Sequence, residues 1–162
     1  MPNATPQKDD IAFIRDAMRY FADSRYIRVR GRPILLVYQA SLLPDMGATL
    51  ERWKKTCIKD GEAEPYYVMV QSFTNIAPRA YGFDAAAQFP PHAAQGAVQL
   101  DDVSPDFTGE LFSYDETVLS SMSRWTKEYP LFPGVMPAWD NTPRRMANGC
   151  IFLGTTPQKY ET

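Results

Sequence analysis

Short apolar runs that alternate with helical patterns restrict the fold of this chain more than any other feature. Four runs have the length of a strand, at residues 34–38, 66–70, 83–89 and 131–137. Continuous apolar runs of this length are typical of strands covered on both faces, and parallel strands need crossover connections. The pattern therefore predicts a parallel α/β fold of about four strands with flanking helices.

Three segments carry the helical spacing of apolar residues that separates these runs. Residues 10–22 and 45–59 form the first two predicted helices. The third begins with a Ser-x-x-Glu capping box at Ser113 and Glu116, and its expected inward face is Val118, Met122 and Trp125. Residues 95–109 have no clear period and predict a long loop, a type of segment that is often functional.

All four predicted strands end in polar or aromatic residues, followed in two cases by prolines. Ligands bind at the carboxyl ends of the strands in parallel α/β folds. A flat ring beside carboxylate and amide groups is suited to holding a sugar. The predicted substrate-binding residues at these ends are Tyr38, Gln71, Gln88, His92, Trp139, Asp140 and Asn141.

Each of these residues also has a structural interpretation. Trp139 either stacks on the apolar face of a sugar or packs beneath a loop. Asp140 either orients a hydroxyl or caps the turn before Pro143. His92 is the only histidine, and it either forms a hydrogen bond in the pocket or is a satisfied structural residue. No second metal-ligating residue lies near it in sequence, so we predict no metal site.

Charge and motifs restrict the partners. The net charge is -2 and the sequence pI is about 5.4, so the chain lacks the basic stripe of a nucleic-acid-binding protein. Glycine-rich phosphate loops and a Gly-x-Ser-x-Gly elbow are absent, and we predict no cofactor. The cluster Arg25, Arg28, Arg30 and Arg32 is either a solvated turn or an anion site.

The length of 162 residues suggests one domain, with residues 1–9 as a disordered tail. Cys57 and Cys150 are distant in sequence and suggest reduced thiols, although a disulfide stays open. The longest apolar run, residues 34–38, is far shorter than the ~20 residues of a membrane span. With no signal peptide recognised at the first residues, a cytoplasmic location is expected.

Four segments in order carry a family resemblance: YFADSRYIRVRGRPILLVYQ, YGFDAAAQFPPH, GVMPAWDNTPRR and GTTPQKYE. Together they resemble the WbsX-like proteins of the glycoside hydrolase family 99-like group, found in bacterial O-antigen and lipopolysaccharide biosynthesis clusters. The similarity covers roughly residues 10–161. It implies a (β/α)8 TIM-like barrel that acts on a carbohydrate or sugar nucleotide, as a glycosyltransferase or a glycoside hydrolase.

The chain departs from the family pattern where catalysis is concerned. It covers about four of the eight strands, the fourth to the seventh, and the family's last strand with its acidic residues is absent. Gln88 stands where family members usually have Glu. Glycosidases need two carboxyl groups at the scissile bond; among the strand ends only Asp140 offers one, since Asp84 lies early in its strand. The catalytic residues are therefore unknown.

Three functions remain open at this point. The first is the central part of a carbohydrate-active enzyme in surface-polysaccharide assembly. The second is a non-catalytic half-barrel whose exposed sheet edges pair with a second copy or a complementing chain. The third is a self-contained small α/β domain with a closed sheet and an unrelated ligand. A helix-start signal at Thr156-Pro157, close to the last residue, favours an incomplete unit.

Overall fold

A computed structural model describes residues 7–72, 76–92, 94–123 and 128–161. Most of the expected tail, together with Phe73 and Trp125, lies outside these ranges. The α-helices of the described residues are α1 Gln7–Phe21, α2 Met46–Lys59, α3 Tyr114–Ser123, α4 Thr142–Arg145 and α5 Pro157–Tyr160. The strands are β1 Arg28–Val29, β2 Arg32–Tyr38, β3 Tyr66–Gln71, β4 Ala85–Gln88, β5 Ala97–Val98, β6 Glu110–Ser113, β7 Leu131–Phe132 and β8 Cys150–Leu153.

Two compact units contain these elements. Unit 1 comprises Met1–Gln88 and Lys127–Phe132, and unit 2 comprises Phe89–Thr126 and Pro133–Thr162. The single domain expected over the whole chain stays a prediction, and each unit is described separately below.

Unit 1 contains a five-stranded sheet in the order β1-β2-β3-β4-β7. Strands β2, β3, β4 and β7 pair in parallel, and β1 is antiparallel to β2. The predicted α/β organisation is thus confirmed, with an antiparallel strand β1 that the prediction of a parallel sheet did not contain. The strand order never reverses, as it would in a doubly wound sheet, so each parallel strand lies beside its predecessor in the sheet.

The core of unit 1 lies between one face of this sheet and helices α1 and α2. Alternation along a strand sends successive side chains to opposite faces, and Val37, Tyr67 and Met69 point to the helices. There they pack against Ile14 and Trp53. The opposite face of β2 exposes Leu36 by 56% and Tyr38 by 49%.

An ion pair and additional hydrogen bonds join helices α1 and α2. Asp10 of α1 is buried, with 4% of its surface exposed, and it accepts hydrogen bonds from Arg52 and Thr49 of α2. The Trp53 indole N–H donates to the Asp10 carbonyl at 3.0 Å. A buried carboxylate is tolerated because it is paired and hydrogen-bonded.

Polar contacts also close the amino-terminal edge of the sheet. Arg32 donates to both carboxylate oxygens of Asp84 at 2.8 Å, and the backbone N–H of Tyr67 donates to Asp84 at 2.9 Å. Asp84 therefore lies at the edge opposite to the strand ends, as the sequence predicts, and it ties β2, β3 and the start of β4 together.

Unit 2 contains a three-stranded sheet in the order β5-β6-β8. β5 is antiparallel to β6, and β6 is parallel to β8. This sheet is absent from the sequence prediction, which treats residues 95–109 as a continuous loop and assigns no strand to β6 or β8. Phe112 and Phe152 stack across β6 and β8 with ring centroids 5.1 Å apart.

The fourth predicted strand, residues 131–137, is wrong beyond its second residue. β7 ends at Phe132, because Pro133 and Pro137 have no N–H to donate to a sheet ladder. As a consequence Trp139, Asp140 and Asn141 do not follow the end of a parallel strand. The prediction that they share a strand-end position with Tyr38 is corrected accordingly.

The expected inward face of α3 is also wrong. Met122 is 67% exposed, whereas Tyr114 and Thr117 are buried. The Tyr114 hydroxyl donates to the Met136 carbonyl at 2.9 Å, so polar anchoring rather than apolar spacing orients this helix. Only one half of the predicted capping box is present: the Glu116 N–H lies 3.4 Å from the Ser113 hydroxyl, whereas the Ser113 N–H donates to the Gly96 carbonyl at 2.9 Å. The predicted cap at Thr156 is confirmed, since its hydroxyl accepts from the Lys159 N–H.

Both cysteines are free thiols. Cys57 is buried in the unit 1 core, and burial raises the pKa of its thiol to about 11. Among the described helices, none has the length and apolar character needed to cross a bilayer.

Candidate functional site

Three predicted site residues, Tyr38, Gln71 and Gln88, lie at the carboxyl ends of parallel strands in unit 1. The register pairs Gln71 with Gln88 across β3 and β4, and it pairs Tyr38 with Val70. Side chains of paired residues share a face, so the two amides lie together. Tyr38 belongs to the other face, together with exposed Leu36. The sheet therefore divides these three residues into two groups.

The amide of Gln71 is used within the protein. Gln71 is 9% exposed, and its Nε2 donates to the Ile76 carbonyl at 3.1 Å and to the Tyr129 hydroxyl at 3.0 Å. These hydrogen bonds connect the end of β3 to the segment that follows β3 and to the segment that precedes β7. Gln88 pairs with Gln71 across the two strands and is partly exposed.

The arginine cluster at residues 25–32 forms internal contacts. Arg25 pairs with Asp23 at 2.6 Å, Arg28 with Glu62 at 3.3 Å and Arg32 with Asp84 at 2.8 Å. These carboxylates neutralise the guanidinium groups that an anion would need. The geometry thus favours a structural turn over an anion site.

The remaining four predicted residues belong to unit 2, where His92 stacks on Phe89. The two ring centroids are 5.5 Å apart with an interplanar angle of 30°, and Phe89 is 46% exposed. Burial lowers the pKa of His92 below its ordinary value, because a low-dielectric environment disfavours the imidazolium ion. A neutral imidazole beside an exposed ring can exchange hydrogen bonds with a sugar hydroxyl.

Trp139, Asp140 and Asn141 extend the sheet of unit 2 by main-chain bonds to β8. The Phe152 N–H donates to the Trp139 carbonyl at 2.9 Å, and the Asn141 N–H donates to the Cys150 carbonyl at 3.2 Å. Asp140 forms an antiparallel bridge with Ile151. The position of these three residues is therefore set by β8.

The side chains of Asn141 and Asp140 accept hydrogen bonds within the protein. Asn141 accepts the Cys150 N–H at 2.7 Å, and Asp140 accepts the Thr142 N–H at 2.8 Å. Hydrogen bonds from Thr142, first from its backbone and then from its side chain, lower the pKa of Asp140. The Trp139 indole N–H is buried without a hydrogen-bond partner in the described part of the chain. The capping interpretation of Asp140 is thus supported, and its carboxylate stays exposed.

Two surface depressions can be described in full, and none of the predicted site residues lines either of them. One, of about 460 Å³, lies at the end of α1 in unit 1. Its cations Arg19 and Arg25 are paired with Asp16 and Asp23. The other, of about 590 Å³, lies in unit 2 and is lined by residues 97–111.

The depression in unit 2 is the feature that the prediction of binding residues missed. Its signal in the sequence was the long segment of residues 95–109, expected to be functional, but no residue of that segment was chosen. The lining combines the ring of Phe107 and the aliphatic Leu100 and Val103 with the carboxylates of Asp101 and Glu110. Within the described ranges, no group of three or more His, Cys, Asp or Glu side chains could hold a metal ion.

Comparisons with known proteins give one consistent result. The sequence profile of a family described as glycosyltransferase WbsX matches residues 1–162. An uncharacterized protein WxcX of Xanthomonas campestris pv. campestris strain B100 is 41% identical over 155 residues, which is 94% of this chain and 22% of that protein. WxcX of strain ATCC 33913 is 40% identical over 155 residues, which is again 94% of this chain and 22% of that protein. No solved structure matches.

Proposed function

Because the chain belongs to the WbsX glycosyltransferase family, we propose that it is a segment of a carbohydrate-active enzyme of bacterial surface-polysaccharide biosynthesis. The observation that carries the proposal is the family match over residues 1–162. The chain spans about a fifth of the length of the curated relatives it matches, so the activity proposed is that of a longer protein. The enzyme transfers or hydrolyses a glycosyl group, and its cytoplasmic location remains a prediction.

The sheet of unit 1 supports a barrel-type architecture. Four parallel strands follow one another without a change of direction, as they do in a (β/α)8 barrel. The βαβ crossover from β2 to β3 uses α2. In contrast, the link from β3 to β4 contains a 3-10 turn, Pro78–Tyr81, and no α-helix among its described residues. We propose that these strands are part of such a barrel.

The carboxylates of Asp84 and Asp140 support binding rather than turnover. Glycosidic cleavage uses two carboxyl groups about 5–10 Å apart. Asp84 is held by Arg32 at the amino edge, and Asp140 is held by Thr142 in the other unit. We therefore propose that the segment contributes sugar-binding groups and that the catalytic carboxylates lie elsewhere in the enzyme.

The proposed binding groups differ in the chemistry that they offer to a sugar. Tyr38 and Gln88 present a hydroxyl and an amide at strand ends, and His92 and Trp139 present ring systems in unit 2. Gln71, Asp140 and Asn141 already accept or donate hydrogen bonds within the protein. We propose that these three orient the neighbouring groups, with Asp140 also able to accept from a sugar hydroxyl.

Calorimetry tests the proposal. The 162-residue chain and a version extended to the length of the curated relatives are each titrated with lipopolysaccharide sugars and their nucleotide-activated forms. We expect saturable binding by the extended protein, and weak binding without turnover by the shorter chain. Absence of saturable binding by the extended protein would contradict the proposed function.

One observation favours a second candidate, a non-catalytic half-barrel that pairs through its sheet edge. Residues 35–38 of β2 pair with β3 and with no other described strand, and Leu36 is 56% exposed. An open strand edge is a template for pairing with another chain. It also disagrees with the closed sheet required of a self-contained domain.

Light scattering distinguishes this candidate. We expect the wild-type chain to dimerise with rising concentration and Leu36→Lys to remain a monomer. A wild-type chain that is monomeric at every concentration excludes pairing of two copies through β2.

A further inference from the structure

The depression of unit 2 has the dimensions of a ligand site. Its volume of about 590 Å³ falls within the range of small-molecule pockets, about 300–1,000 Å³. Its lining residues come from strand β5, from the first two residues of strand β6 and from the segment between the two strands, and all lie within residues 97–111. All of these residues are described, and the surface is built by one continuous stretch of chain.

The floor of the depression is fixed by a close backbone contact. A Cβ placed on Gly109 would lie 1.9 Å from the Gly149 carbonyl oxygen and 2.6 Å from Cζ of Phe107. The Glu110 N–H donates to the same carbonyl at 2.9 Å. The absence of a side chain at residue 109 thus leaves room for the Gly149 backbone and for the Phe107 ring.

The segment of chain that lines the depression carries charge of one sign. Between His92 and Arg124 the sequence contains no Lys, Arg or His, and its six acidic residues are Asp101, Asp102, Asp106, Glu110, Asp115 and Glu116. Asp115 is paired with Lys159 at 2.8 Å. Asp101 and Glu110, which line the depression, form no ion pair with any residue in the described part of the chain.

These features select among the ligands of a carbohydrate-active protein. A carboxylate accepts hydrogen bonds from hydroxyl or ammonium groups, and an aromatic ring packs against the apolar face of a sugar. Phosphate groups instead require Arg, Lys or oriented backbone N–H groups, and two unpaired carboxylates repel them. The lining therefore suits sugar hydroxyls and amino groups and opposes a diphosphate.

We propose that the depression of residues 97–111 binds an uncharged or amino-substituted glycan and excludes the sugar nucleotide. The inference deepens the proposed function and rests on it. In a transfer reaction the depression binds the glycan acceptor rather than the activated sugar donor. Phe107 provides the stacking surface, and the carboxylates of Asp101 and Glu110 accept hydrogen bonds from the glycan.

Nuclear magnetic resonance titration of the 162-residue chain tests the inference with three probes: a glucosamine trimer, maltotriose and UDP-glucose. We expect both trisaccharides to shift amides of residues 97–111, with the cationic trimer binding at least about tenfold more tightly than the anionic UDP-glucose. Added salt narrows this difference because it screens exposed charges.

Three variants separate the contributions. Phe107→Leu keeps an apolar side chain and weakens both trisaccharides to a similar extent. The double variant Asp101→Asn, Glu110→Gln removes the preference for the trimer over UDP-glucose. Asp102→Asn is the matched control, since Asp102 carries the same charge next to the depression without lining it, and it leaves most of the preference intact. Amides of β6 and β8 report whether each variant keeps the fold.

The outcomes distinguish this inference from the proposed function. Trisaccharide-induced shifts that leave residues 97–111 unaffected, or a stronger response of those residues to UDP-glucose, overturn the inference and leave carbohydrate binding intact. An unchanged probe preference in the double variant also overturns it. A chain extended to the length of the relatives that responds to no sugar at all contradicts the proposed function as well.

Discussion

Units 1 and 2 are held together by different interactions. Unit 1 has a continuous apolar core in which Ile14, Phe21 and Cys57 are essentially inaccessible, and a buried Asp10–Arg52 pair joins its helices. In the described part of unit 2 the buried side chains are those of Tyr114, Thr117 and Phe152. There, main-chain bonds and close glycine contacts replace apolar burial.

This difference indicates that unit 1 is the structural scaffold and that unit 2 carries more of the exposed side chains. Burial of apolar area is the main favourable term in folding, so unit 1 should be the more stable of the two. Unit 2 leaves more side chains exposed, among them the ring of Phe89 and the residues around the depression. Ligand-binding segments are commonly drawn from the less stable parts of a protein.

The largest expected effect is the loss of a core aromatic in unit 1. Trp53 is 5% exposed and contacts Phe13 with ring centroids 5.1 Å apart. Trp53→Ala should lower the free energy of unfolding by about 3–5 kcal/mol through a cavity. Trp53→Phe, which keeps a ring but loses the hydrogen bond to Asp10, should cost less. Urea denaturation measures both, and equal losses would exclude packing as the main contribution.

The next effect concerns the glycine contact of unit 2. Gly109→Ala forces Cβ against the Gly149 carbonyl and should destabilise unit 2 by about 1–3 kcal/mol. Amide hydrogen exchange should accelerate in β6 and β8 while β3 stays protected. Gly47→Ala is the control: it lies in α2 with only an ordinary contact at 3.7 Å, and Ala favours a helix over Gly by about 1 kcal/mol. Acceleration in both units alike would argue against their separate stabilisation.

A smaller effect is expected at the amino-terminal edge of the unit 1 sheet. Arg32 and Asp84 have side chains that are 30% and 25% exposed, so solvent screens part of their attraction. Asp84→Asn should cost about 1 kcal/mol. Asp23→Asn, whose partner Arg25 is 88% exposed, should change stability by less than about 0.5 kcal/mol. Thermal unfolding compares the stability of the two variants. A larger loss of stability in Asp23→Asn than in Asp84→Asn would contradict the structural role of the Arg32–Asp84 pair.

The smallest effect is a pH dependence in unit 2. The pKa of Asp140 is lowered by hydrogen bonds from Thr142, so the unfolded chain binds this proton more readily than the folded one. The contribution of Asp140 is therefore present above the ordinary aspartate pKa and is lost as pH falls through the lowered folded pKa. The chemical shift of the Thr142 amide should titrate with a midpoint below the ordinary aspartate pKa. In Asp140→Asn this chemical shift should no longer follow that titration. A midpoint at or above the ordinary value would contradict the capping role.

What could be predicted from the sequence follows the same division. Helix α2 and strand β3 were found nearly to the residue, since Asp45 accepts the Ala48 N–H at 2.9 Å as an N-cap and residues 66–70 form a continuous apolar run. Such signals are local. Gln71 and Gln88 were predicted at strand ends because each follows an apolar run, but the register that pairs them and the pleat that separates Tyr38 from them have no local signal.

The sheet of unit 2 was missed for the opposite reason. β6 and β8 are four residues each and are held by contacts between distant positions. The approach of Gly109 to Gly149 leaves no local pattern in the sequence. The run of residues 131–137 was predicted as one strand although Pro133 and Pro137 lie within it. Their missing N–H groups limit β7 to two residues, and Trp139 pairs with β8 instead.

Hydrogen exchange with and without the glucosamine trimer tests most directly the claim that unit 1 is the scaffold and unit 2 carries the glycan. The account predicts that β3 and α2 exchange slowest in both conditions and that the trimer slows exchange within residues 97–111. Slowing confined to the α1–α2 helices of unit 1, or greater protection in β6 than in β3 without ligand, would contradict it.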